Sequence, residues 1–137
     1  MKVVGLALAV LAASAAAAGT AHAAQCSTKE LHGLWVGTAE EDDPAYCLFQ
    51  FKKTGRLAQS SCFEGPVIKP SATATGRLTV AKDCTVTGAF VATGTRGGNK
   101  AELRFTGTLD PAKGIIQGTM KPKGGRALTY GFARHWR

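Results

Sequence analysis

The sequence predicts an all-β domain: an eight-stranded antiparallel up-and-down barrel stapled by two disulfides. Three observations lead there. Gly, Thr and β-branched residues recur in short runs punctuated by turn signals, with no long helical periodicity after the N-terminus. Several runs alternate with a period of two, which gives a sheet one apolar and one polar face. Eight such strands joined by hairpins remove their edges by closing on themselves. A seven- or eight-stranded β-sandwich is the rival arrangement. The 137 residues suffice for one small domain, and the 45% hydrophobic content is too high for general disorder.

The strands are expected, in order, at 33–40, 45–52, 56–63, 74–81, 84–93, 100–109, 114–121 and 126–136. The second turns into the third at Lys53-Thr54-Gly55, where Gly55 can take a positive φ. In the fifth, Val86, Gly88 and Phe90 oppose Thr85, Thr87 and Ala89. In the sixth, Leu103, Phe105, Gly107 and Leu109 oppose Glu102, Arg104, Thr106 and Thr108. Asp110-Pro111 starts the turn into the seventh, and Gly124-Gly125 the turn into the eighth, where Leu128, Tyr130 and Phe132 line one side. Interior Gly suits tight coiling of the sheet. In a meander, the tight connections 53–55, 82–83 and 110–113 lie at one end. The mostly longer ones, 41–44, 64–73, 94–99 and 122–125, lie at the other, the expected mouth.

Ahead of the barrel, residues 1–23 read as a signal peptide. Met1-Lys2 is a short positive start, 3–18 an apolar run, and Ala21-His22-Ala23 a small-x-small processing site. Residues 24–32 form an N-terminal segment and 33–137 the barrel domain. Cleavage would remove one cation, Lys2, from the formal net charge of +8 and leave all four cysteines. An even cysteine count in a small exported chain, without Cys-x-x-Cys, reads as disulfides rather than a metal, redox or haem site. Folding the hairpin about Thr54-Gly55 sets Cys47 opposite Cys62, within bridging range. That pairing leaves Cys26 with Cys84; the other two connectivities stay open, because a slip of one residue removes the argument. The expected location is periplasmic or extracellular.

Gly33-Leu34-Trp35 opens the first strand, and Arg134 and Trp136 close the last. A Gly-x-Trp at the head of an eight-strand meander resembles the calycin-type barrels: lipocalins, avidins and small bacterial metalloprotease inhibitors. The resemblance implies a Trp, here Trp35, packed at the closed end, and a basic residue from the last strand, here Arg134, covering it. It carries no further lipocalin motif and no biotin-site pattern, so it implies a fold and no particular activity.

The expected ligand-binding residues are those of the mouth loops: acidic Glu41, Asp42 and Asp43, facing Arg96, Lys121, Lys123 and Arg126. The acidic run lacks the alternating oxygen ligands and Gly of a calcium loop. His32 and His135 fall together at the closed end, but two imidazoles are fewer than a tight metal site needs, and no cofactor is expected. Ser60 and Ser61 lack a nucleophile-elbow context and the cysteines are expected to be oxidised, so the chain reads as no enzyme. Three functions remain. The first is an exported binding module holding a small apolar or amphipathic ligand at the open end. The second is a protein-interaction or protease-inhibitor module, acting on an exported partner through its loops or N-terminal segment. The third is contact of the basic surface with anionic envelope components. Export and the lack of an aromatic-basic platform argue against nucleic acid.

Overall fold

The computed structural model describes residues 25–40, 45–64 and 70–135. The residues read as the signal peptide lie outside these, as do Glu41, Asp42, Asp43 and Trp136. The strands are β1 (Gly33–Ala39), β2 (Ala45–Phe51), β3 (Leu57–Glu64), β4 (Ala72–Val80), β5 (Thr85–Gly94), β6 (Lys100–Asp110), β7 (Ile115–Pro122) and β8 (Leu128–Arg134). Each pairs antiparallel with the next, and β8 pairs with β1 through Trp35↔Arg134 and Gly37↔Phe132. The sheet is therefore a closed barrel and not a sandwich.

Alternation decides what enters the barrel. Trp35, Phe49, Phe51, Phe90, Phe105 and Phe132 point inward and are buried. Their rings meet tilted or edge-on in the middle of the stack: Phe132 lies 5.2 Å from Phe49 and 5.2 Å from Phe105, centroid to centroid. Leu78, Val80, Val86, Leu109 and Ile116 fill the space toward the tight turns. Outside, β4 to β8 present mainly Thr, Arg and Lys, as the one-wet-face pattern requires.

The N-terminal segment seals this filled end. A single 3-10 turn at Thr28–Leu31 drops Leu31, 0% exposed, into the core. Four ties hold it. Cys26 is bonded to Cys84. Thr28 Oγ1 accepts from the Val80 N–H at 3.0 Å. The Trp35 indole N–H donates to the Leu31 carbonyl at 2.8 Å. The Arg134 guanidinium donates to the Glu30 carbonyl and lies 4.8 Å over the Trp35 ring. Residues 25–31 are thus anchored to the barrel, with Cys26 and Leu31 buried in its core, rather than forming a free arm.

The β2–β3 hairpin keeps Cys47 directly opposite Cys62, and these two are bridged. A register shift follows between Gln50 and Phe51, next to the turn. There Gly55 has φ +80° and its carbonyl accepts from Leu78; a Cβ would lie 1.9 Å from the Leu78 oxygen, so only Gly fits.

One wall is knitted differently. Cys62↔Ala72 and the bridge Arg56↔Arg77 are the register partners joining the β3 side to β4. Between them Ser60 substitutes for the ladder: its hydroxyl accepts from the Ala74 N–H at 2.6 Å and donates to the Ala74 carbonyl at 2.9 Å. Among the described residues, Ser60, 6% exposed, is the buried polar one.

Candidate functional site

The barrel interior changes character along its axis. Toward the tight turns the inward positions are large and buried. Toward the other end the same strands turn inward Ala39 on β1, Ala72 and Ala74 on β4, and Ala92 and Gly94 on β5, all half-buried. Large side chains return on β6, β7 and β8: Leu103, Pro122, Leu128 and Tyr130 are half-buried there, and Met120 is buried. An inward residue that stays half-exposed beside small neighbours marks space that the core does not fill. The filled base and the small-residue rim together give the described strands the outline of a cup. Two inward layers above the aromatic floor give it a depth of about 10 Å.

Tyr130 defines the floor. Its ring meets Phe132 edge-on at 5.0 Å. Gly37 makes room for it: a Cβ there would lie 2.5 Å from the Tyr130 hydroxyl oxygen and 2.5 Å from the Phe49 ring. The hydroxyl makes no hydrogen bond among the described residues, and burial pushes the phenol's pKa above its ordinary value of 10. The Cys47–Cys62 disulfide, also half-buried, lines the wall beside β1. The lining is thus apolar, with one phenolic donor at depth. This is the composition of sites that hold small organic molecules.

Of the expected mouth residues, those described lie on the outer wall or in exposed connections. Glu41, Asp42 and Asp43 lie outside the described residues. Arg96 and Arg126 sit exposed in the β5–β6 and β7–β8 connections. Lys123 turns to Glu102, 3.4 Å away at the rim. Lys121 is no loop residue: it lies in β7 opposite Arg104, on the outer wall. His32 and His135 flank β1 and β8 at the sealed end, both exposed, and no group of three or more metal-ligating side chains occurs among the described residues.

Sequence reasoning missed Ala72, Ala74, Ala92 and Tyr130 as site residues. Their signal was a size gradient, small at one end of each strand and large at the other, which emerges only when the strands are aligned. A hollow lies outside the barrel over β1 to β3, walled by Leu34, Leu48, Gln50, Gln59 and Phe63. Next to it Tyr46, 38% exposed, stacks on Phe63 at 5.1 Å.

The fold is a small closed β-barrel, filled with large side chains toward the tight turns and lined by smaller ones toward the other end. No family model, curated protein or solved structure matches the chain.

Proposed function

We propose that this protein is an exported, non-enzymatic binding module that holds a small apolar ligand, with one polar group, in the open half of its barrel. The observation that carries the reading is the cup: small, half-exposed inward residues above an aromatic floor, with the Tyr130 hydroxyl directed into the interior beside Gly37. A ligand of one ring or a short chain suits the depth, and its polar group would pair with the phenol. The filled base leaves no room for a long ligand.

The setting rests on two supports. The N-terminal run reads as a signal peptide, and two disulfides suit an oxidising compartment. Trp35 under the Arg134 guanidinium at the sealed end supports a calycin-like reading of the barrel.

The test is native mass spectrometry of protein purified from its own compartment, beside an Ala92→Phe variant that fills the cup. The reading expects extra mass, below about 300 Da for so shallow a site, on the parent chain and its loss from the variant. Parent and variant carrying the same mass, or a bare parent that also fails to take up added phenol or decanoate, would overturn it.

A further inference from the structure

Four cations far apart in sequence become neighbours through the strand register. Arg56 bridges to Arg77, Arg77 pairs with Ala89, Ala89 with Arg104, and Arg104 with Lys121. The result is one row across the outer wall, perpendicular to the strands, with all five residues exposed. None of the four cations is ion-paired among the described residues; the acid nearest the row in β6, Glu102, is engaged by Lys123. Along the row the charges form two pairs, Arg56/Arg77 and Arg104/Lys121. Partners within a pair stand about 5 Å apart, and the gap across Ala89 is about 10 Å.

Both pairs set like charges directly opposite one another, an arrangement that destabilises a sheet. Two such violations in one row, divided by a small neutral residue, are expected at a functional surface. We propose that this row binds a linear anionic polysaccharide, each cation pair clamping one acidic group. The adjacent row consists of hydroxyls: Thr79, Thr87, Thr106, Thr119 and Thr129 are successive register partners, all exposed. It offers sugar hydroxyls a parallel line of hydrogen-bonding groups.

Shape and composition select this partner over other polyanions. In an eight-stranded barrel the wall turns by about 45° per strand, so a flat membrane meets roughly two of the four cations at once, whereas a flexible chain follows the row. No aromatic side chain lies in either row, so nucleic-acid bases have no platform on which to stack.

The test is calorimetric titration of the purified protein with a defined-length heparin oligosaccharide at low and physiological salt. Arg77→Gln/Arg104→Gln removes one cation from each clamp, and Lys113→Gln/Arg126→Gln removes the same charge off the row. The row variant should lose about tenfold or more in affinity and the control less than about twofold. The row variant should also melt no lower than the parent, since it relieves like-charge contacts. Equal losses in both variants, a row variant that melts lower, or no binding by the parent even at low salt would overturn the proposal. So would single-stranded DNA or anionic phospholipid vesicles binding as tightly as the oligosaccharide. Ala92→Phe should leave oligosaccharide binding intact, so the row and the cup fail or stand independently.

Discussion

Replacing Ser60 by Ala should destabilise this barrel although it removes only one buried oxygen. If packing alone mattered, Ser60→Ala at a buried position would be neutral or favourable. Here the hydroxyl occupies the place of a missing ladder pair between β3 and β4, accepting from the Ala74 N–H and donating to the Ala74 carbonyl. Its loss strands both backbone groups in the wall. An orphaned buried polar group costs about 1–3 kcal/mol, and the carbonyl is the easier of the two to leave, so the pair should cost about 2–4 kcal/mol. For a domain of this size that lowers the melting temperature by roughly 8–16 °C. Urea unfolding followed by circular dichroism reads the energy, and hydrogen exchange reads the Ala74 amide. Ser61→Ala, one residue on and facing outward, is the control and should change stability by less than about 0.5 kcal/mol. A Ser60→Ala variant as stable as the parent, or a Ser61→Ala variant equally damaged, would refute the role given to the seam.

Other consequences are as direct. Gly37→Ala drives a methyl to 2.5 Å from both Tyr130 and Phe49, so it should cost about 1–3 kcal/mol and perturb the aromatic near-ultraviolet spectrum. Because burial raises the folded-state pKa of Tyr130 above 10, its neutral form contributes stability that is complete below pH 10 and is lost as pH rises from there. Urea midpoints measured from pH 8 upward should fall less steeply in Tyr130→Phe than in the parent; identical slopes would contradict this. Arg134→Met removes the cation over Trp35 and the donor to Glu30, leaving the 3-10 turn less firmly seated. It should cost about 1–3 kcal/mol and speed exchange of the Trp35 indole proton, which an Arg134→Lys variant should only partly rescue.

Much of the barrel was legible because its signals are local. The alternation of Leu103, Phe105 and Leu109 against Arg104, Thr106 and Thr108 needs only the pleat. The pairing of Cys47 with Cys62 has the register expected of a hairpin folded about Thr54-Gly55, although the turn itself is centred on Thr54, with Phe51 opposite Leu57; the extra residue at the register shift, Ala58, restores the offset that brings the two cysteines together. Edges were less visible. β4 starts at Ala72 rather than Ala74, because the ladder continues through Thr73↔Thr93 and Ala72↔Gly94. β8 starts at Leu128 rather than Arg126, the Gly-rich turn running further than its two glycines suggest. The four-residue turn at Thr28–Leu31 is too short for periodicity to register.

The site was harder to read for a physical reason. Loop length suggested the mouth and charge its binding residues, yet Lys121 faces outward from a strand and Lys123 is paired with Glu102. What forms the cup is the absence of bulk at Ala72, Ala74 and Ala92, and a missing side chain carries no motif. The cation row is invisible for a related cause: Arg56, Arg77, Arg104 and Lys121 meet only through the pairing of separate strands.

The cup is tested most directly by methyl and aromatic NMR of the purified protein titrated with phenol and with decanoate. The account expects saturable shifts at the methyls of Ala72, Ala74, Ala92, Leu103 and Leu128 and at the ring of Tyr130, with Leu109 and Ile116 in the filled base unmoved. Shifts confined to Leu34, Leu48 and Phe63 on the outer wall, or no saturable shift at any inward residue, would contradict it.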